Sequence, residues 1–243
     1  MVLAIDVTTY LSNPWIPSLP TPRDSSYLSD IKTIKITSDP SNRYGDNHII
    51  FKTEFVNSMR KAISFDRVSY YSSSPSDFSY QGFSAILESV EIGSVETLCF
   101  DRYPVDANFA PLDVTPALIT QELRKFQNLK TLILAKCNIT LFLDWASSCS
   151  TVDTLIVYST HDPFFGFNGP PVQELAASRK KAGCPLKTVT LVYPFEQPRL
   201  SELEELASCV GSVKVVSRED ARSWNIDEYL LAAATRGDNL DRP

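Results

Sequence analysis

The sequence predicts an α/β fold arranged as a solenoid, with about six parallel strands in sequential order and helices on the convex side. Three observations predict this architecture. A short strand-like phrase recurs along the chain, helix signals lie between most of its copies, and the composition is that of a globular protein. Self-similarity at a period of a few tens of residues is the sequence signature of a solenoid.

The recurring phrase consists of an apolar residue, a charged residue, threonine, an apolar residue, any residue and an apolar residue. Its residues are mostly β-branched or aliphatic, which is typical of a short strand. Close copies start at Ile31, Val95, Leu129, Val152 and Leu186, a looser copy starts at Phe65, and a remnant starts at Val213. A further strand-like segment, 49–55, breaks the phrase, and we interpret it as an irregular insertion.

Helix signals between the copies complete the repeating unit. The predicted helices cover 55–63, 81–90, 116–126, 140–149, 171–182, 201–208 and 225–234. Gly183 follows the fifth of them, where glycine commonly ends a helix. Ser201 and Glu204 form a predicted capping box at the start of the sixth. Because parallel strands need long crossover connections, the alternation of strands and helices favours a parallel sheet.

The predicted domain organisation is a single folded unit over 31–235. The chain of 243 residues is long enough to bury a substantial core. Residues 1–30 contain four prolines and are expected to form an extended lead or cap. Residues 236–243 are expected to form a flexible tail.

Composition and charge argue against several classes of function. The formal net charge is −6 and the longest basic run is 179–181, so no nucleic-acid partner is expected. No apolar run approaches the roughly 20 residues that span a bilayer, so no membrane partner is expected. The five cysteines lack a C-x-x-C spacing, which indicates free thiols rather than a zinc or redox site. Without a predicted signal peptide, we expect an intracellular protein, cytoplasmic or nuclear.

The copy that starts at Leu129 carries a specific pattern. From Leu129 to Ile139 it matches the leucine-rich-repeat template L-x-x-L-x-L-x-x-N/C-x-L, with Cys137 at the N/C position. In this template the leucines point into the solenoid. Cys137 is then expected to lie beneath the backbone, where the chain turns away from the strand.

The copy that starts at Leu186 follows Cys184 and Pro185, and it is similar to the cysteine-containing repeats of F-box proteins. The region 31–216 resembles the divergent leucine-rich-repeat regions of fungal F-box-type proteins. This resemblance implies the substrate-recognition part of a ubiquitin ligase, which would bind a protein partner through its repeat face. Residues 1–30 are too short and too rich in proline for an F-box, so we do not expect binding to the ligase adaptor.

Aligning the copies places equivalent residues side by side in the predicted sheet. The second position is charged in every copy, as Lys32, Asp66, Glu96, Lys130, Asp153 and Lys187. The third position is a threonine in most copies, as Thr33, Thr97, Thr131, Thr154 and Thr188. We interpret the charges as a cross-strand ladder that fixes the register, with contact to a charged ligand as the alternative.

Later positions of the C-terminal copies form a predicted apolar patch, here named the concave patch. It consists of Ile133, Ala135, Ile156, Tyr158 and Val192. Contiguous exposed apolar area commonly marks an interaction site, so this patch is a candidate partner-binding surface. The alternative is that a loop or the C-terminal helix covers it.

Insertions that follow the strands are expected to gather at one edge of the sheet. The candidate partner-binding residues there are aromatic or histidine, namely Tyr103, His161, Phe164, Phe165 and Phe167. Loops on one edge of a solenoid commonly carry its binding function. The alternative is that the phenylalanines plug the solenoid locally.

Motifs for catalysis, cofactors and metals are absent from the sequence. It has two histidines and contains no G-x-S-x-G, P-loop or G-x-G-x-x-G pattern. We therefore expect no enzymatic activity, no cofactor and no metal site, and we favour non-enzymatic protein–protein recognition. The alternative is a small α/β enzyme with a site near His161, Asp162 and Asp101 at the C-terminal ends of the strands. That alternative predicts a doubly wound sheet whose strand order reverses.

Overall fold

The computed structural model describes residues 3–7, 30–41, 48–57, 62–70, 92–101, 121, 123–137, 139–143, 149–158, 169–193 and 198–233. Its strands are β1 (Leu3–Val7), β2 (Ile31–Ser41), β3 (His48–Asn57), β4 (Ala62–Tyr70), β5 (Thr97–Asp101), β6 (Thr131–Ala135), β7 (Thr154–Tyr158), β8 (Thr188–Val192) and β9 (Ser212–Val216). Its α-helices are α1 (Gly169–Lys181), α2 (Leu200–Cys209), α3 (Arg218–Ser223) and α4 (Ile226–Ala233). Short 3-10 turns span Ile92–Ser94 and Ile139–Phe142.

The strands form one sheet with the order β1-β4-β3-β2-β5-β6-β7-β8-β9. β2 and the strands from β5 to β9 are parallel, and they lie in the order in which they occur in the sequence. The predicted α/β class and six parallel strands in sequential order are therefore confirmed. The copy that starts at Phe65 is not one of the six, because it lies in the antiparallel strand β4, and the remnant at Val213 supplies β9 instead. The order does not reverse among these six strands.

The recurring threonines are aligned across the parallel strands. The Cα partners at this position are Thr33, Thr97, Thr131, Thr154, Thr188 and Ser212. The hydroxyl of Ser212 lies 3.2 Å from the hydroxyl oxygen of Thr188, which extends the column to the last strand. Because side chains alternate between faces, a register set at one residue assigns all the following residues to a face.

An antiparallel arm precedes the parallel strands. β3 pairs antiparallel with both β2 and β4, and β1 pairs parallel with β4 at the outer edge. The predicted strand 49–55 is confirmed within β3, but the predicted helix 55–63 is wrong, because β3 continues to Asn57 and β4 begins at Ala62. The β-branched and aromatic residues of this stretch favour strands, and pairing with neighbouring strands outweighs the helical spacing.

Several other predicted elements fall partly or wholly outside the described residues. The helix predicted over 81–90 and the tail 236–243 lie outside them, as do residues 1–30 apart from β1 and Asp30. Of the helix predicted over 140–149, residues 140–142 belong to a 3-10 turn, residue 143 is helical, and residues 144–148 lie outside the described residues. None of the helices in the described ranges combines the length and the apolar character that a membrane span requires.

The main core lies between one face of the sheet and the helices α1 and α2. The strands contribute the apolar residues of the phrase, such as Leu132 and Leu155, which are almost fully buried. α1 contributes Val172 and Leu175, and α2 contributes Leu206. Burying a side chain of this size stabilises the fold by about 1.5–3 kcal/mol relative to leaving it exposed.

The helices α3 and α4 pack against the opposite face of the sheet. The expectation that helices lie on the convex side alone is therefore wrong for the C-terminal strands. The physical reason is that β6 and β7 are apolar on both faces. In β7, for example, Leu155 belongs to the main core and Ile156, which points the other way, is only 3% exposed.

The helix ends follow local signals in the sequence. Gly183 has a φ of +77° and its N–H donates to the carbonyl oxygen of Lys180 over 3.1 Å, so the predicted glycine stop of α1 is confirmed. At the start of α2, the N–H of Arg199 donates to Glu202 Oε2 over 2.8 Å. Glu202 therefore caps the backbone N–H of Arg199, but no reciprocal bond forms, because an arginine side chain has no acceptor. The predicted capping box at Ser201 and Glu204 is wrong, because α2 already begins at Leu200.

Candidate functional site

The concave patch is covered in the structure. Its four aliphatic members, Ile133, Ala135, Ile156 and Val192, are each at most 3% exposed. Ile133, Ile156 and Val192 form a second apolar cluster with residues of the C-terminal helical segment. The members from that side are Ala221, Trp224, Ile226, Tyr229 and Leu230. The patch is therefore not exposed as a binding surface. The C-terminal helices cover it, which was the alternative.

The sequence of α4 explains why this helix covers the patch. Tyr229 and Leu230 lie three and four residues after Ile226, which places all three on one face of a helix. That face meets a sheet surface whose side chains are aliphatic. Removing both apolar surfaces from water is more favourable than leaving either exposed.

Tyr158 differs from the rest of the patch because it is half-buried at the rim of the cover. Its ring stacks on Trp224 with a centroid separation of 5.4 Å and an interplanar angle of 22°. Trp224 in turn meets Tyr229 at 5.8 Å and 37°. We name Tyr158, Trp224 and Tyr229 the aromatic cluster; each is partly exposed.

A positive charge adjoins the aromatic cluster. The ammonium nitrogen of Lys136 lies 5.6 Å from the centroid of the Tyr158 ring, within the range of a cation–π interaction. Lys136 has a φ of +53°, a left-handed conformation that costs a non-glycine residue about 1–2 kcal/mol. Its backbone N–H donates to the carbonyl oxygen of Tyr158 over 2.8 Å, which anchors this turn to the neighbouring strand.

The aromatic cluster lies at the edge where the parallel strands end. The last residues of β5 to β9 are aligned there as Asp101, Ala135, Tyr158, Val192 and Val216. The candidate residues Tyr103, His161, Phe164, Phe165 and Phe167 lie outside the described residues. The segments that carry them begin at this edge, because they follow Asp101 and Tyr158 in the chain.

The residues of the alternative enzyme site are only partly described. Asp101 is half-buried at the end of β5, whereas His161 and Asp162 lie outside the described residues. Within the described ranges, no group of three or more histidine, cysteine, aspartate or glutamate side chains is arranged to hold a metal ion.

The charged position of the phrase forms ion pairs between neighbouring strands. The Glu96 carboxylate lies 2.9 Å from Lys130 Nζ and 3.5 Å from Lys32 Nζ. Lys187 Nζ lies 2.8 Å from Asp153 Oδ2. Lys32 therefore neighbours Glu96 directly, and Asp66, which lies in β4, is not a member of the row.

The charge row changes the protonation of Glu96. Partial burial raises the pKa of this carboxyl, but the hydrogen bond and charge of Lys130, together with Lys32, lower it by more. The pKa of Glu96 therefore lies below its ordinary value of 4.5. These contacts hold charges of opposite sign in neighbouring strands, as expected of a ladder that fixes the register.

Cys137 lies just past the end of β6. It is buried, and its sulfur lies 3.3 Å from the carbonyl oxygen of Phe100 and 3.1 Å from that of Ala135. One of these carbonyls belongs to the preceding parallel strand, so the thiol links adjacent strands just past the point where β6 ends.

Arg179 has a structural role that the sequence reading missed. Its guanidinium donates hydrogen bonds to the carbonyl oxygens of Cys149 and Val152, at the start of β7, and the residue is only 1% exposed. A signal was present, because Arg179 follows Val172 and Leu175 at the helical spacing of seven and four residues. Its place in a basic run concealed that spacing.

Comparisons with known proteins find little that resembles this chain. No family model and no curated protein matches it. One solved structure with a similarity is a 2,6-sialyltransferase of Photobacterium sp. JT-ISH-224, in a ternary complex with CMP and lactose, at 10% identity and a TM-score of 0.26. The match covers 95% of this chain and spans 63% of the length of that one. A similarity of this size carries no argument about fold or function.

Proposed function

We propose that this chain is a non-enzymatic protein–protein recognition module built as a leucine-rich-repeat-like solenoid. Its partner binds at the edge of the sheet where the parallel strands end. The observation that carries the proposal is the partly exposed aromatic cluster at that edge, with Lys136 beside it.

Two features support the solenoid. The parallel strands meet their neighbours in one continuous register, as stacked repeats do. The thiol of Cys137 lies against the carbonyl oxygen of Phe100 in the preceding strand, which is the contact expected at the N/C position of the template.

The chemistry of the edge supports recognition of a protein. Tyrosine and tryptophan are enriched among the residues that contribute most to binding, because they offer large apolar area and a polar group at low entropic cost. Tyr158 and Trp224 already hold one another in place, so little further ordering is needed when a partner binds. The segments with the other aromatic candidates begin at the same edge.

We also propose, from the resemblance to F-box-type proteins, that the recognised protein is a substrate of a ubiquitin ligase. The chain would supply the substrate-binding part, and the link to the ligase adaptor would come from an F-box. Fusing an F-box to this chain tests this second step. We expect the fusion, and not the chain alone, to promote ubiquitination of proteins that the chain binds.

The recognition proposal is tested by quantitative affinity purification from the source cell. The variants are Tyr158→Ala and Lys136→Glu at the strand-end edge, with Lys181→Glu as a charge control on an exposed residue of α1. We expect the amount of partner recovered by each edge variant to be at least about tenfold lower than the amount recovered by the wild type and by Lys181→Glu. Urea unfolding of each variant establishes that the loss does not come from unfolding. Equal recovery by all four folded proteins would overturn the proposal.

A further inference from the structure

The last strand, β9, leaves one edge of the sheet open. Within the described part of the chain, β9 pairs with β8 on one side and with no strand on the other. The buried apolar positions of the parallel strands are also apolar in β9, where they are Val213 and Val215. Leu191 of β8 is 2% exposed, whereas its neighbour Val215 in β9 is 37% exposed. An apolar position that every other parallel strand buries is thus exposed at the end of the row.

An unpaired strand edge is a template for a further strand, because its N–H and C=O groups are already aligned. The register of the sheet fixes what would lie opposite each residue of β9. An apolar residue would lie beside Val213 and another beside Val215, and a hydroxyl residue beside Ser212 would extend the threonine column. The remaining central position faces Lys214, which is exposed.

Lys214 distinguishes between possible occupants of this edge. It is the middle residue of β9, so a second copy paired in register, in either direction, would set two Lys214 ammonium groups opposite each other. Like charges directly opposite one another destabilise a strand pair. An acidic side chain at this position would instead form a cross-strand ion pair, as Asp153 does with Lys187 in this sheet.

We propose that β9 binds an extended segment of another protein by strand addition. The segment carries a glutamate or aspartate opposite Lys214, with apolar residues on either side of it. The interaction surface consists of the β9 backbone, Lys214 and Val215. This surface is separate from the aromatic cluster, so the proposal does not depend on the recognition function proposed above.

The probe is a seven-residue peptide with the sequence of residues 186–192. It includes β8, the strand with which β9 already pairs. One version has glutamate at the position of Thr190 and the other has lysine there. Fluorescence polarisation measures their binding to the wild type, to Lys214→Glu and to Lys181→Glu. The last variant changes an exposed lysine on α1 to the same residue.

We expect the wild type and Lys181→Glu to bind the glutamate peptide about fivefold more tightly than the lysine peptide, and we expect Lys214→Glu to invert this preference. Amide hydrogen exchange of the complex should slow at residues 212–216. Three results would each overturn the proposal: no binding of either peptide to the wild type, a preference that Lys214→Glu does not change, or protection confined to another strand. Dimers of the wild type that Val215→Glu abolishes would also overturn it, because the occupant would then be a second copy.

Discussion

The ring of Tyr158 stacks on the ring of Trp224, with centroids 5.4 Å apart and an interplanar angle of 22°. Tyr158 ends β7, and Trp224 lies between α3 and α4. The contact therefore joins the sheet to the helices that cover its second face. It also places both rings at the rim, where part of each remains accessible to a partner.

Replacing both members of this stacked pair by alanine tests their coupling. In a double-mutant cycle of Tyr158→Ala and Trp224→Ala, we expect a coupling free energy of about 1 kcal/mol, the value typical of aromatic pairs. Urea unfolding measures it. The control pair is Tyr158→Ala with Arg222→Ala, an exposed residue of α3, for which we expect additive effects. Coupling of equal size in both pairs would contradict a direct contact.

Replacing Ile133 by alanine tests the cover of the concave patch. Ile133 is fully buried, so Ile133→Ala should lower the free energy of unfolding by about 2–4 kcal/mol. Val215→Ala, at an exposed aliphatic residue, should change it by less than about 1 kcal/mol. Ile133→Glu should prevent folding, because it buries a carboxyl among apolar residues. Equal destabilisation by the two alanine variants in urea unfolding would show that the patch is uncovered.

Replacing Arg179 by methionine tests the hydrogen bonds to the start of β7. We expect Arg179→Met to lower the free energy of unfolding by about 2–4 kcal/mol, because the carbonyl oxygens of Cys149 and Val152 lose their donors. Arg179→Lys should recover only part of this loss, since one ammonium group does not reproduce the fork of the guanidinium. Lys181→Met, at an exposed lysine of the same helix, is the control. A loss no larger than that of Lys181→Met would show that the carbonyls find other donors.

Replacing Glu96 by glutamine tests the charge row through its dependence on pH. Because the pKa of Glu96 is lowered in the folded state, its stabilising effect is present above the unfolded pKa and is lost as pH falls through the folded pKa. Glu96→Gln should therefore be less stable than the wild type at pH 7 by under about 1 kcal/mol, and equally stable below the folded pKa. Urea unfolding between these pH values measures the difference, and high salt should reduce it. Glu204→Gln, which changes an exposed carboxylate on α2, is the control.

Replacing Cys137 tests the N/C position of the repeat template. Cys137→Asn should be less destabilising than Cys137→Ala, because an amide N–H can donate to the carbonyl oxygen of Phe100, whereas alanine leaves that carbonyl without this partner. We expect the two variants to differ by about 1 kcal/mol in urea unfolding. At Cys149, which is not at that position, asparagine should offer no advantage over alanine. The reverse order at Cys137 would argue against the template.

The recurring phrase predicts the parallel part of the fold because each copy favours a strand and because equivalent residues of the copies lie side by side in the sheet. Each copy supplies a strand, and the aligned threonines and charges decide how neighbouring strands meet. The antiparallel arm follows no such rule. β3 is recognisable as a strand, but nothing in its residues shows that it pairs with β2 and β4 before the chain continues to β5.

The sequence predicts the covering of the concave patch by a C-terminal helix only as one of two alternatives. Alternating apolar residues such as Ile133 and Ile156 show that the face is apolar, but the same pattern suits an exposed binding surface and a buried one. The amphipathic spacing of Ile226 and Leu230 shows that α4 has an apolar face, without showing which surface it meets. That choice depends on tertiary packing, which no single segment encodes.

The constant register of the parallel strands has a consequence for how such a chain can vary. β2 and β5 are separated by the whole antiparallel arm, whereas β6 and β7 are joined by a short connection, yet both pairs meet at the aligned threonines. Alignment of neighbouring strands is therefore independent of the length of the chain between them. Insertions and deletions in these connections can accumulate over evolution without disturbing the sheet, so length variation among descendants should concentrate where the strands end.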